Sequence, residues 1–190
     1  MTESSVTISE AIEEDLAFLF GLWHTAEVMR YADEFPRLRG WSKKDAPQTA
    51  WAAYQEKRAA LGSGYVQFIL RLTDGTPIGE SFFTPLPDGY TFGKWQKPDG
   101  IVCLMGDIKL LPPFWGQGLG SEGMQQVVNR LFANTACDLL LVPPHRKNPA
   151  AERVYEKAGF TLFQGMRSWY GHKVMELSRQ RYEGGSLCVD

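Results

Sequence analysis

The segment Trp-Gly-Gln-Gly-Leu-Gly at residues 115–120 places three glycines at alternate positions between two structured stretches. Residues 101–111 before it form the most apolar strand candidate and predict a central β-strand, which Pro112 and Pro113 end. Residues 118–134 after it have apolar side chains at helical spacing. Strand, glycine turn and helix predict an anion cradle, because glycines leave backbone N–H groups accessible and a helix start is partly positive. A tight turn that only connects the two elements fits the glycines equally well.

The glycines also match the dinucleotide-binding pattern G-x-G-x-x-G at residues 118–123, with Asp138 about 20 residues further on. The surrounding sequence argues against that interpretation. The acid of that fold follows a strand, whereas Asp138 precedes residues 139–142, and roughly a hundred residues come before the glycines. A kinase-type phosphate loop is weaker still, because no Lys-Ser or Lys-Thr pair follows the glycines.

The first half of the chain predicts an edge strand at residues 6–12 and a helix that begins at residues 13–15, where acidic side chains suit a helix start. A second helix is predicted from Ser42 to roughly Ala60, with Pro47 as an alternative first turn. Thr73-Asp-Gly-Thr76 separates two strand candidates and predicts a β-hairpin.

The second half predicts a loop or a short extra hairpin at residues 85–100, followed by the central strand and the glycine turn. The remaining elements are a strand at 138–142, a helix at 150–158, and strands at 161–166 and 173–177. This order predicts one α/β domain with a mixed sheet over residues 1–182 and a flexible tail at residues 183–190.

Composition indicates a reduced, cytoplasmic protein. Hydrophobic residues make up 44% and charged residues 22% of the 190 residues, as in ordinary globular proteins. The net charge of -2 provides no basic field for nucleic acid or anionic membrane. No apolar run approaches the roughly 20 residues that span a bilayer, and the amino terminus lacks a signal-peptide pattern. The cysteines at positions 103, 137 and 188 lack metal-site spacing, so no metal is expected.

Two motifs, in this order and on the expected elements, resemble the GNAT superfamily of acyl-CoA N-acyltransferases. The family's loop pattern, Arg/Gln-x-x-Gly-x-Gly/Ala, falls on residues 115–120, and its pattern Asn-x-x-(Ala/Ser)-x-x-x-Tyr-x-Lys-x-Gly-Phe falls on residues 148–160. Trp115 departs from the usual first residue, so the resemblance implies a backbone cradle without a side-chain contact there. Tryptophan at this position, with Glu122, is similar to ribosomal-protein N-terminal acetyltransferases, whereas residues 148–160 are similar to aminoglycoside 6′-N-acetyltransferases.

The resemblance implies a single GNAT-like domain of the α/β (α+β) class, with a mixed, mostly antiparallel sheet of about six to seven strands flanked by about four helices. It implies an enzyme that transfers an acetyl group from acetyl-CoA directly to a primary amine of a small molecule or a protein N-terminus. The alternative from another class is a non-catalytic acyl-CoA-binding sensor or interaction module. The expected partners are acetyl-CoA and the amine, with no nucleic acid or membrane, and the chain is expected to be a monomer or homodimer.

The resemblance also implies site residues by position. Backbone groups of residues 117–121 would hold the cofactor pyrophosphate, and residues 107–111 would pair with the pantetheine arm and polarise the thioester. Asn148 would bond the same arm, and Tyr155 would stand near the sulfur. The cofactor-binding candidates are Ile108, Lys109, Leu110, Trp115, Gly116, Gln117, Gly118, Leu119, Gly120, Ser121 and Asn148.

Acyl transfer to an amine requires a base that takes the amine proton and an acid that protonates the leaving thiolate. Asp107 is the preferred base; a structural acid paired with Lys109 is an equally good interpretation, and Glu80 on the neighbouring strand is the alternative base. Tyr155 is the candidate acid, because a phenol with pKa near ~10 can protonate a thiolate with pKa near ~8.5. A tyrosine that only packs is the alternative.

Other polar residues carry weaker signals. No Ser-His-Asp set is apparent and Cys103 has no nearby histidine, which favours direct transfer without an acyl-enzyme. His145 is interpreted as a solvated loop residue or a cofactor-phosphate contact, while His24 and His172 have no identifiable partner. Asp33 and Glu34, among aromatic residues, form a mixture suited to a cationic acceptor, with exposed loop charges as the alternative.

Overall fold

The strands of the central sheet are covered by other elements on both faces. In this computed structural model, which describes residues 5–31, 47–166 and 168–185, the strands are β1 (Val6–Glu10), β2 (Val66–Leu72), β3 (Pro77–Pro85), β4 (Thr91–Phe92), β5 (Trp95–Gln96), β6 (Ile101–Met105), β7 (Lys109–Leu110), β8 (Cys137–Val142), β9 (Thr161–Leu162) and β10 (Met175–Ser178). The helices are α1 (Leu16–His24), α2 (Ala26–Met29), α3 (Pro47–Leu61), α4 (Leu119–Asn134), α5 (Pro149–Lys157) and α6 (Arg179–Gly185).

The sheet has the strand order β1-β2-β3-β6-β8-β10-β9, and β7 pairs with β3. Neighbours are antiparallel except β6 and β8, which run parallel. The predicted mixed, mostly antiparallel sheet is therefore confirmed, as are the edge position of β1 and the β2–β3 hairpin. The short β4–β5 hairpin confirms that residues 85–100 carry an extra pair of strands.

Helices cover both faces of the sheet. Adjacent residues of a strand point to opposite faces, so each strand contributes side chains to both layers. On β2, Phe68 packs in the core under α4 and α5, whereas Ile69 packs against α1 and α3. The predicted apolar stripe of α4 lies wholly within the first of these cores and consists of Met124, Val127, Val128 and Leu131. The site described below lies at the end of the sheet where these layers meet the glycine turn.

The prediction of one continuous strand over residues 101–111 is wrong. The strand breaks at residues 106–108 into β6 and β7. A side chain on Gly106 would lie 2.1 Å from the Phe82 ring, and the Gly106 N–H donates to the Phe82 carbonyl at 2.7 Å. β6 pairs with β8 only as far as Leu104, while β7 continues along β3. Both halves of the strand therefore pair with β3, but only β6 also pairs with β8.

Some predicted boundaries shift. α3 is described from Pro47 onwards, and the predicted start at Ser42 lies outside the described residues. The last two strands are shorter than predicted. Helix α6 includes residues 183–185 of the predicted tail, and residues 186–190 lie outside the described part of the chain. Within the described ranges, no helix has both the length and the apolar character needed to cross a bilayer.

Gly79 tests how tightly β7 is held on β3. A Cβ at Gly79 would lie 2.2 Å from the Lys109 carbonyl oxygen, so Gly79→Ala must push β7 away. Overpacking of this kind costs about 1–3 kcal/mol, and we expect the Tm to fall by about 3–10 °C. Gly21→Ala is the matched control, because Gly21 lies in α1 with nothing within 4 Å of the added methyl group. Equal melting temperatures in the two variants, measured by calorimetry, would contradict the tight packing of β7.

Candidate active site

A cavity of about 430 Å³ lies between β7, the glycine turn and the first turn of α5. Its fourth wall is the segment that follows α2, where Arg30 and Tyr31 line the cavity. The volume is in the range of cavities that bind small molecules and cofactors. The glycine turn therefore forms one wall of a ligand-sized space.

The glycine turn presents a run of backbone donors. The N–H groups of residues 116–120 have no hydrogen-bond acceptor among the residues that the structure describes. Gly116 and Gly118 have φ of +75° and +86°, a conformation that glycine adopts readily, and Gly118 caps the start of α4. The Ser121 N–H donates to the Gly118 carbonyl at 2.9 Å. The available run thus starts one residue earlier than the predicted cradle at residues 117–121.

Two side chains of the turn bond back to the segment before it. The Trp115 indole Nε1 donates to the Leu110 carbonyl at 2.7 Å, and the Gln117 amide donates to the Pro113 carbonyl at 2.7 Å. Trp115 nevertheless lines the cavity, with 42% of its surface exposed. Its indole N–H is occupied within the protein, in agreement with the expectation that the first motif side chain does not act as a ligand contact.

Most of the predicted cofactor-binding residues share this cavity. Gln117 does not line it, and Leu119 is buried in a core with Val6 and Leu70. Asn148 lines the cavity and also caps α5, because its side-chain oxygen accepts from the Ala151 N–H at 3.2 Å. The predicted residues that line the cavity are Ile108, Lys109, Leu110, Trp115, Gly116, Gly118, Gly120, Ser121 and Asn148.

Five further residues of α5 and the segment after α2 also line the cavity, and none of them was predicted as a site residue. One face of α5 lines the cavity through residues at helical spacing, a signal that was present in the sequence. Together with Arg30, these residues bring three cations to the cavity beside the backbone donors. The missed α5 residues are Ala150, Ala151, Arg153, Val154 and Lys157.

β7 presents an unpaired edge to the same cavity. Its residues Lys109 and Leu110 pair with β3, and among the described residues no strand pairs with the other edge. An edge strand leaves backbone donors and acceptors available to an extended ligand. The geometry suits the predicted pairing of residues 107–111 with an extended arm.

Asp107 lies at the break between β6 and β7, in the wall shared by two cavities. The first is the cavity described above; the second has a volume of about 40 Å³. The Tyr155 hydroxyl donates to Asp107 Oδ1 and accepts from the Ile108 N–H at 3.2 Å. Tyr155 itself is fully buried on α5. The two predicted catalytic residues, 48 positions apart, are therefore brought into direct contact.

Burial dominates the electrostatics of this pair. It raises the pKa of the Asp107 carboxyl, although the Lys109 charge, the Tyr155 hydrogen bond and the two nearby histidines act in the opposite direction. The pKa of Tyr155 is raised well above its ordinary value by burial and by the negative charge of Asp107. Tyr155 therefore keeps its proton at neutral pH, whereas Asp107 binds a proton more readily than an exposed aspartate.

Glu80, the predicted alternative base, occupies a different position. It is fully buried on β3, lines neither cavity, and forms an ion pair with Lys109 at 3.1 Å. Gln67 donates to its other carboxylate oxygen. The Lys109 ammonium also lies 4.4 Å from the Trp23 ring centroid and donates to the Asp107 carbonyl at 3.3 Å. Lys109 thus pairs with Glu80 rather than with the Asp107 carboxylate.

The interpretation of two histidines as unpartnered or solvated is wrong. His145 and His172 are each 7% exposed, and their rings meet edge to face at 5.0 Å between centroids. Both line the smaller cavity with Asp107. The Tyr31 ring stacks on the His145 ring, with 4.9 Å between the ring centroids. Asp33 and Glu34, the predicted acidic residues for a cationic acceptor, lie outside the described residues.

The raised pKa of Asp107 has a consequence for stability. An acid whose pKa is higher in the folded state than in the unfolded state stabilises the fold at low pH and loses that contribution as pH rises through the folded pKa. We therefore expect Asp107→Asn to be more stable than the parent at pH 7.5, with a smaller difference near pH 4. Urea unfolding at several pH values measures it, and Asp99→Asn, at an exposed position, is the control. A difference that does not change with pH would contradict this account.

Comparisons with known proteins agree with this geometry. The acetyltransferase (GNAT) domain family matches residues 5–161. An aminoglycoside N(6′)-acetyltransferase type 1 of Klebsiella pneumoniae is 26% identical over 166 residues, covering 84% of this chain and 75% of the relative. An aminoglycoside acetyltransferase solved with coenzyme A is 24% identical with a TM-score of 0.72, covering 96% of this chain and 99% of its own.

A second solved relative has a different acceptor. The spermidine N-acetyltransferase from Vibrio cholerae, solved with CoA and spermine, is 15% identical with a TM-score of 0.71, over 95% of this chain and 99% of its own. The family match covers most of the chain, and the resemblance inferred from residues 115–120 and 148–160 is confirmed. The chain therefore belongs to the GNAT family of acetyltransferases, enzymes that transfer an acetyl group from acetyl-CoA to an amine.

Proposed function

We propose that this enzyme acetylates a primary amine of a small molecule by direct transfer, with Asp107 as the general base and Tyr155 as the general acid. The observation that carries the proposal is the position of Asp107, in the wall shared by the cofactor-sized cavity and the smaller cavity. A base at this boundary faces an amine on one side and the acetyl donor on the other.

The larger cavity suits the acetyl donor. The free N–H groups of residues 116–120 and the start of α4 would hold the pyrophosphate, because aligned amides and a helix start favour an anion. Arg153 and Lys157 on α5 add positive charge to the same wall. The open edge of β7 would pair with the pantetheine arm, which brings the thioester to the position of Asp107.

The smaller cavity suits the amine. Its lining combines aromatic and apolar side chains, such as Trp23 and Phe82, with Lys109 and two histidines, and Asp107 is its carboxylate among the described residues. The Lys109 charge is paired with Glu80. A negative carboxylate attracts an ammonium group, and aromatic faces favour a cation. The relatives named for aminoglycosides and spermidine act on small amines, which supports a small-molecule acceptor over a protein N-terminus.

Asp107 would take a proton from the amine, and its raised pKa suits this role because a carboxylate with a higher pKa has a greater affinity for the proton. Tyr155 would protonate the leaving sulfur, and its contact with Asp107 allows its own proton to be replaced from the carboxyl group. Glu80 is a poorer base, because its carboxylate is paired with Lys109, whereas Asp107 lines both cavities.

An amine panel tests the acceptor class. Release of free CoA thiol from acetyl-CoA would be measured with kanamycin, spermidine, 2-phenylethylamine and a short peptide with a free N-terminus. We expect turnover with at least one of the three small amines and a kcat/KM for the peptide at least about 100-fold lower, a difference of about 2.7 kcal/mol. Exclusive acetylation of the peptide, or no thiol release with any amine, would refute the proposal.

Tyr155→Phe tests the acid. Loss of a positioned proton donor typically costs 10²–10⁴-fold, and we expect kcat to fall about 100-fold or more while the Kd for CoA, measured by calorimetry, changes less than about threefold. Tyr182→Phe is the control, since Tyr182 bonds Asn129 on α4, away from both cavities. Parent-like turnover of Tyr155→Phe would remove Tyr155 from the mechanism.

A further inference from the structure

Two histidines lie beside Asp107 and have no role in the proton transfers described so far. His145 and His172 share with Asp107 a cavity of about 40 Å³, which has room for only a few water-sized groups. Both rings are almost completely buried, and imidazole is the side chain that ordinarily exchanges protons near neutral pH. The amine side of the site thus contains two imidazole rings and one carboxyl group in one small space.

The fold holds the two rings together through adjacent loops. His145 follows β8 and His172 precedes β10, and these strands are antiparallel neighbours. The Arg146 Nε donates to the Gly171 carbonyl at 2.7 Å, which links the loops. Tyr170 and Gly171 occupy positive φ, +45° and +85°, in the tight turn that ends at His172. A non-glycine residue in this conformation is uncommon, and the bridge between Trp169 and His172 closes the turn directly before the His172 side chain.

Hydrogen bonds assign opposite tautomers to the neutral rings. His172 Nδ1 lies 3.1 Å from the Pro143 carbonyl, which can only accept, so Nδ1 carries the proton and Nε2 carries the basic lone pair. The Lys147 N–H donates to His145 Nδ1 at 3.1 Å, so the lone pair of that ring is on Nδ1. Neutral His172 therefore has a base at Nε2, whereas neutral His145 has a donor there.

The reaction releases more protons than one carboxylate can hold. An ammonium group that becomes an amide N–H loses two protons, of which one ends on the CoA sulfur and the other must reach solvent. Asp107 can carry one proton at a time and is itself enclosed between the two cavities. A second group is needed to clear Asp107 before the bond-forming step.

We propose that His172 is the proton-relay residue: its Nε2 accepts the first amine proton from Asp107 across the water-sized cavity that both residues line, and later releases it to water. This rests on the proposed function. The amine nitrogen then attacks the thioester carbon, and Asp107 accepts the second proton as the N–C bond forms. The C–S bond breaks with its electron pair on sulfur, Tyr155 protonates the sulfur, and Asp107 returns a proton to the Tyr155 oxygen. His145, held by its stack on Tyr31, is a positioning residue for His172.

The charged surroundings of His172 are defined. Lys109 lines the same cavity, but Glu80 pairs with it, so that its charge is locally balanced. Lys173, the next residue in the chain, forms an ion pair with Glu152 at 2.6 Å. The titratable or charged groups that line the cavity with His172 are Tyr31, Asp107, Lys109 and His145.

His172→Asn tests the relay, because the asparagine amide can still donate to the Pro143 carbonyl but cannot accept a proton. With the best amine of the panel, we expect kcat at pH 7 to fall about 10–100-fold with an unchanged KM for acetyl-CoA. The loss should shrink towards pH ~10, where the amine arrives already neutral, and added imidazole should restore part of the rate. His24→Asn is the matched control, since His24 is exposed and lines neither cavity.

The outcomes separate a relay from a structural role. A parent-like kcat for His172→Asn overturns the proposal, and so does a loss that is equal at every pH and is not relieved by imidazole. If CoA fails to stabilise His172→Asn against heat, His172→Gln is measured in the same way and decides the question. Failure of the proposed function is distinct, because the parent enzyme would then release no thiol with any of the small amines.

Discussion

The interruption of the central strand at residues 106–108 is the constraint on which the site depends. The Phe82 ring occupies the space that a side chain at position 106 would need, and only a glycine can pass beneath it. Beyond this point β7 follows β3 alone, which leaves its other edge facing the larger cavity. Asp107 is the next residue, so the same break that opens the strand edge also places the carboxylate between the two cavities.

The buried ionisable groups around this break differ in how they are paired. Lys109 and Glu80 form an ion pair. The Lys109 ammonium also lies over the Trp23 ring, and Gln67 donates a hydrogen bond to Glu80. Among the described residues, Asp107 has a hydroxyl partner but no direct cationic partner, and burial is the largest influence on its pKa. A well-paired carboxylate makes a poor base and a poorly paired one costs stability. This difference supports Asp107, rather than Glu80, in the proposed role of base.

Short sequence patterns predicted the parts of the site that are formed by residues close together in the chain. The glycine turn, the start of α4, and the segment carrying Asn148 and Tyr155 all have fixed spacings that follow from a turn or a helix. The strand break was not predictable, because Gly106 is an ordinary residue until Phe82 from another strand packs on it. The partnership of His145 and His172 likewise arises only from the pairing of β8 with β10, which no short pattern encodes.

The side-chain hydrogen bonds of Trp115 and Gln117 bear on how the glycine turn would bind a ligand. Glycine-rich segments sample many backbone conformations, and ordering them on binding costs free energy that would be subtracted from affinity. Here two side chains, bonded to the Leu110 and Pro113 carbonyls, restrain the turn from within. If the turn holds the cofactor as proposed, the cost of ordering it falls on folding rather than on binding, and Trp115 would contribute to affinity by restraining the turn.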